Sequence, residues 1–197
     1  FYHPILPLLV DVASARAAVP EMPLPDRGFA YPGDAAEQLR LGVASHTRRF
    51  GRRPRGVWPP EAAISDAALS LIGDAGLEWA VSDEGLLSRA LGSIHRDGEG
   101  TVMHPEMLYR PYRLSRGQTS LDLVFRDARL SNLIGFDYQN QTAAEAASDL
   151  IERLRAIGRR QDGDSPLLVV IALDGENCWD SYEANGNPFR SPPHGRL

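Results

Sequence analysis

Cysteine is almost missing from this chain: Cys178 stands alone, so no intramolecular disulfide can form and nothing calls for an oxidising compartment. A reducing, cytoplasmic location is the corresponding expectation. Long apolar runs are missing too. The longest, Leu167 to Leu173, has the length of a strand and is far short of a membrane span. Positive charge is not in excess: the net charge is −5 and no basic stripe is present, which leaves nucleic-acid and membrane partners without electrostatic support. The densest basic cluster, Arg48, Arg49, Arg52, Arg53 and Arg55, falls at an apparent helix end, where cations complement the helix dipole. Metal-ligand spacing is lacking as well. His46, His95, His104 and His194 share none and read as surface residues. Cys178 has no partnered base nearby and does not read as a nucleophile.

What is present suffices for one compact core. The chain has 197 residues, 43% of them hydrophobic and 24% charged, which argues against wholesale disorder. It opens inside an apolar phrase, FYHPILPLLV, and closes in a Pro- and Gly-rich tail, and so reads as an interior piece of a longer protein.

Pattern and punctuation predict the elements. Phe1 to Val10 looks like a strand end entering a loop, with His3 biased to an extended backbone by Pro4. Pro20 to Pro32 reads as a surface loop. Asp34 should cap a helix running to Phe50, with Ala35, Leu39, Val43 and Thr47 near one face and Gly51 as its stop. Gly56-Val57-Trp58 is a short strand ended by Pro59 and Pro60. Ser65 and Asp66 open a helix over Ala67 to Asp74, closed by Gly76. Trp79 to Val81 is the next strand, followed by polar Ser82-Asp83-Glu84 and a helix near Leu86 to Leu91. Tyr109 to Leu114 and Leu121 to Phe125 should be strands, and a long amphipathic helix spans Asn140 to Arg160. Leu167 to Leu173, apolar throughout, should be a strand covered on both faces. Strand followed by helix, repeated, predicts an α/β fold with parallel pairing and helical crossovers.

Polar residues gather where these strands end: Glu61 after Trp58-Pro-Pro, Arg126-Asp127 after another strand, and Asp174-Gly-Glu176-Asn177 after the last. In parallel α/β folds that end of the sheet binds ligands. Each group could also be ordinary loop polarity or a helix cap.

Four phrases then appear in a telling order: Phe1-Tyr-His-Pro-Ile-Leu-Pro-Leu-Leu9; Gly56-Val-Trp-Pro-Pro-Glu61; Phe125-Arg-Asp127 with Leu130-Ser-Asn-Leu-Ile-Gly-Phe136; and Leu173-Asp-Gly-Glu-Asn177 with Trp179. In this they resemble glycoside hydrolase family 57, which includes α-amylases, amylopullulanases, 4-α-glucanotransferases and branching enzymes. The resemblance implies an incomplete (β/α)7 barrel and a single partial catalytic domain over residues 1–197, with the opening strand and the C-terminal region missing. It further implies an α-glucan oligo- or polysaccharide as substrate, retaining chemistry on α-1,4 and possibly α-1,6 linkages, and no metal or cofactor in the bond-breaking step. Glu61 matches the family's nucleophile and Asp174 its acid/base.

Retaining hydrolysis needs one carboxylate to attack the anomeric carbon and one carboxylic acid to protonate the leaving oxygen, about 5–5.5 Å apart. The other candidates keep two readings each. His3 could bond a sugar hydroxyl or a backbone carbonyl. Trp58 and Trp179 could stack on sugar faces or pack in the core. Arg126 and Asp127 could be an ion pair shaping the floor, with a sugar contact from Asp127. Glu176 could orient Asp174, bind substrate or cap the next segment. Two rivals stand beside this reading: a metal-dependent carbohydrate deacetylase, which needs an Asp and two His on one metal, and a non-catalytic glucan-binding relative, which has no use for both carboxylates.

Overall fold

The computed structural model describes residues 2–116, 119–175 and 182. They form two compact units, Phe1–Ser82 with Pro111–Val124, and Asp83–Arg110 with Phe125–Leu197.

The first unit begins with α1, Leu6–Val10, where a strand end was predicted. Pro7 in the first turn lacks only an N–H that helix starts leave unpaired, so the run tolerates a helix and buries Leu6. The turn α2, Ala15–Ala18, leads through a loop to α3, Pro32–Phe50. This helix starts two residues before the predicted cap: Pro32 is its first residue, Tyr31 its N-cap, and Asp34 lies in the first turn. Ala35, Leu39 and Val43, four apart, are its buried stripe, and Gly51 ends it at φ 70° with its N–H on the Thr47 carbonyl. After β1, Gly56–Val57, comes α4, Asp66–Asp74, capped by the Ser65 hydroxyl on the Ala68 N–H. Helices α1, α3 and α4 enclose Leu6, Leu39, Val43, Leu69 and Ile72. Arginines in the last turn of α3 and just after it are structurally engaged: Arg49 on Ser45, Arg53 on the Ala75 carbonyl and Arg55 on Glu78.

The sheet has the order β1-β2-β4-β3, where β2 is Trp79–Asp83, β3 Tyr112–Arg116 and β4 Thr119–Arg126. β1 and β2 run parallel across the α4 crossover, as predicted. β3 and β4 are antiparallel, with Tyr112 opposite Leu123 and Arg116 opposite Thr119. This hairpin departs from the strand-helix alternation, because no helical segment separates the two strands. The register places Gly56 opposite Trp79, and a Cβ at Gly56 would lie 2.0 Å from the indole. Gly56→Ala is therefore expected to lower the urea midpoint by an amount equivalent to about 1–2 kcal/mol. The loss should largely disappear in the Gly56→Ala/Trp79→Ala pair if the indole is its cause.

In the second unit α5, Glu84–Leu91, is capped by Asp83, and α6 is the single turn Pro105–Leu108. α7, Ala128–Asn132, runs on through a wider turn at Leu133–Asp137. α8, Ala143–Arg159, opens with a reciprocal Thr142–Glu145 capping box. The Leu167–Leu173 run forms no strand. It makes isolated backbone bonds, Leu168 N–H to the Tyr109 carbonyl at 2.7 Å and Asp127 N–H to the Val170 carbonyl at 2.8 Å. None of its residues is fully buried, and Leu168 is 46% exposed. An apolar run permits burial on both faces, but a ladder needs paired neighbours, and the described residues supply only these two bonds. No helix among the described residues is long and apolar enough to cross a membrane.

Candidate active site

Glu61 sits on the turn that follows β1. Pro59, in extended conformation and fully buried, anchors the turn, and Pro60 starts a single 3-10 turn through Ala62. Glu61 and Ala62 both take the left-handed backbone, at φ 57° and 53°. The Ser82 hydroxyl, at the end of β2, donates to the Ala62 carbonyl at 2.8 Å, and both residues are buried. Ser82 was legible only as one of several polar residues after a strand; its anchoring role needs the fold. Ser82→Ala leaves that carbonyl buried and unpaired. It should lower stability by about 1–3 kcal/mol in chemical denaturation, against less than 1 kcal/mol for Ser88→Ala in a partly buried loop contact.

His3 reaches the same carboxylate from 58 residues away, its Nε2 lying 3.3 Å from Glu61 Oε1. Its backbone is at φ 63°, against the extended conformation expected before proline. The left-handed region costs about 1–2 kcal/mol per L-residue. An exposed ion pair contributes only about 0–1 kcal/mol, and these side chains are 53% and 71% exposed. The pair therefore does not offset the strain that brings its members together. Such outliers concentrate where geometry serves chemistry.

Beside the pair lies a cavity of about 400 Å³, lined by His3, Gln38, His46, Trp58 and Pro60 over an apolar floor that includes Leu39, Val43 and Leu77. Trp58 is half-buried, and its indole N–H is buried without a hydrogen-bond partner among the described residues. His46, read from sequence as a surface residue, lines this cavity with Nδ1 3.1 Å from the Arg52 carbonyl oxygen. The larger hollow of the unit, about 710 Å³ between α3 and α4, is lined by Arg40, Arg48, Arg53 and Asp74 and holds none of the predicted site residues.

In the second unit Arg126 and Asp174 line one small cavity of about 20 Å³ with Ser131, Phe136 and Leu173. Asp174 is exposed. Arg126 does not pair with Asp127. Its Nε donates to Asp83 Oδ2 at 2.7 Å, while Asp83 Oδ1 caps α5. Neighbouring residues of an extended segment point to opposite faces, so Arg126 and Asp127 diverge.

Asp127 is fully buried, which corrects the expected sugar contact. Its carboxylate accepts from the Tyr109 hydroxyl at 2.6 Å and the Leu130 N–H at 2.8 Å, and pairs with Arg96 at 3.1 Å. Arg96 also pairs with Glu84 at 2.5 Å, and Glu84 caps the same helix start through the Ala128 N–H. Burial pushes the Glu84 carboxyl up, with the Ala128 N–H and Arg96 opposing it. Burial works against the Arg96 charge, but Asp127 and Glu84 outweigh it, and the guanidinium is held more firmly charged than usual. Burial and then the Asp127 charge push the Tyr109 hydroxyl far up, so it stays a donor. This cluster is structural. Glu176 and Trp179 lie outside the described residues. Among the described residues no three His, Cys, Asp or Glu side chains gather as a metal-binding set.

Residues 1–191 match the family model "Glycosyl hydrolase family 57", and the chain belongs to that family. Among solved structures it is similar to a 4-alpha-glucanotransferase from Thermococcus litoralis, at 20% identity and a TM-score of 0.51 over 75% of this chain. It also resembles the novel alpha-amylase AmyC from Thermotoga maritima, at 18% identity and a TM-score of 0.42 over 57% of this chain. The first likeness is one of fold. The chain spans 20% of the length of each of these structures. No curated protein sequence matches it.

Proposed function

We propose that this chain carries the catalytic groups of a retaining glycoside hydrolase or transglycosylase acting on α-glucans, on a barrel of the (β/α)7 type. Glu61 is the nucleophile and Asp174 the acid/base. A Glu61 oxygen attacks the anomeric carbon, forming a glycosyl ester as the glycosidic C–O bond breaks. The Asp174 proton goes to the leaving oxygen. Asp174, now a carboxylate, takes a proton from water or from an acceptor hydroxyl, and the new oxygen displaces Glu61. Trp58 offers its ring face to a sugar; Arg126, Glu176 and Trp179 contact substrate around Asp174.

The observation that carries this reading is the Glu61 turn: in a family 57 chain, an exposed carboxylate on strained left-handed backbone directly after a strand. The test is to trap the ester. A slow 5-fluoro-α-glucosyl fluoride is incubated with the intact protein and the peptides are mapped by mass. A single adduct on the Glu61 peptide is expected. An adduct on another carboxylate refutes the assignment, and release of acetate from acetylated sugars with stoichiometric bound metal would establish the deacetylase. Product analysis on maltoheptaose and amylose then separates hydrolysis from transfer.

The acid/base role has its own signature. Asp174→Ala should lose activity steeply on maltoheptaose and least on α-glucosyl fluoride, whose leaving group needs little protonation. Azide should restore turnover and yield an α-glucosyl azide, because it displaces the β-linked Glu61 ester from the opposite face. Equal losses on both substrates, with no rescue, would remove Asp174 from the mechanism.

A further inference from the structure

We infer that His3 is a positioning residue for the nucleophile, acting through the Glu61 carboxylate and not through the sugar; this rests on the reading of Glu61 given above. The imidazole Nε2 holds Oε1 at 3.3 Å, and Oε2 has no hydrogen-bond partner among the described residues. One oxygen is tethered and the other is left for attack. A carboxylate at the end of a flexible Glu side chain otherwise samples several rotamers, and an anchor from a second chain segment restricts it to one. The tether is built from both sides. His3 and Glu61 each take a left-handed backbone, at φ 63° and 57°, and the Ser82 hydroxyl fixes the turn behind Glu61 through the Ala62 carbonyl. His3 is joined on its other side to the α1 start through Pro4, and the preceding Tyr2 N–H is held by the Gln38 side chain at 3.1 Å. Both ends of the contact are thus anchored to the helical layer and the strand end of one unit.

The role predicts a split between kcat and KM. Three variants of the intact protein are compared on maltoheptaose. His3→Asn keeps a residue that tolerates the left-handed backbone but has an amide too short to reach Glu61. His3→Gln restores a donor of longer reach, and His3→Ala removes it. For His3→Asn and His3→Ala, kcat should fall about 10- to 100-fold with KM within about twofold of wild type, since a misplaced reacting group is lost to the chemical step and not to binding. His3→Gln should recover at least about half of that loss on a logarithmic scale. Single-turnover formation of the glycosyl-enzyme should slow in parallel. A rise in KM with kcat unchanged would make His3 a sugar contact and overturn the inference. So would equal losses in His3→Asn and His3→Gln. Glu61→Gln, measured alongside, separates the two levels. If it retains turnover, the nucleophile reading fails and this inference with it. If it is dead while the His3 variants match wild type, only the inference is overturned.

Discussion

Glu61→Gln should remove turnover of every α-glucan, with kcat reduced by about 10⁴-fold or more, because an amide cannot supply the attacking oxygen and nothing beside it can. The substitution is nearly isosteric, and the side chain is 71% exposed, so stability should move little. The carboxamide can still meet His3, and the left-handed turn is held by Ser82 and the two prolines whatever Glu61 carries. Thermal melting within a degree or two of wild type, together with loss of the trapped ester, is the expected pair of results. Activated donors should not rescue this variant, in contrast to Asp174→Ala. Persisting turnover on maltoheptaose, at more than a few per cent of wild type, would show that the nucleophile lies elsewhere.

Asp127→Ala is expected to be the most destabilising single change in the second unit, at about 3–5 kcal/mol. The loss has several parts that act together. Arg96 keeps Glu84 but loses its fully buried partner, the Tyr109 hydroxyl loses its acceptor, and the Leu130 N–H at the start of α7 goes uncapped. Asp127→Asn keeps one acceptor oxygen, enough for the Leu130 N–H, but puts an NH2 donor where Tyr109 and Arg96 meet an oxygen, so it should recover only part of the alanine loss. Denaturation in urea, followed by near-ultraviolet dichroism of Tyr109 and its neighbours, measures both. A loss below about 1 kcal/mol for Asp127→Ala would mean that water enters and satisfies the cluster, and that Asp127 is not the pin it is taken to be. Activity should follow stability in both variants. Loss of kcat in a well-folded Asp127→Asn would instead return Asp127 to the site.

Arg126 and Asp127 fall at a strand end, as their place in the sequence predicts, but the ion pair expected between them does not form. Their side chains diverge, and each finds a partner more than twenty residues away: Asp83 for Arg126 and Arg96 for Asp127. Adjacency in an extended segment argues against a contact, since successive side chains face opposite ways. His46 was dismissed by the same kind of local reasoning. A histidine without metal spacing reads as surface, yet it lines the cavity with His3 and Trp58.

By itself the sequence determined the elements whose causes are local. The α3 stripe at four-residue spacing, the Gly51 stop and the Ser65 cap are contained within a turn or two of chain, and they appear within a few residues of where pattern places them. The ordered phrases carried the family in the same way, because they are strings of neighbours. Tertiary structure alone decided the rest: the helix at Leu6–Val10 in place of a strand end, the β3–β4 hairpin, the unpaired Leu167–Leu173 run, the burial of Asp127, and above all the meeting of His3 with Glu61 on left-handed backbone. The reason is physical. Propensity, capping and periodicity are settled by interactions a few residues apart. A strained φ or a side-chain contact between residues 58 apart depends on neighbours that exist only once the chain has folded.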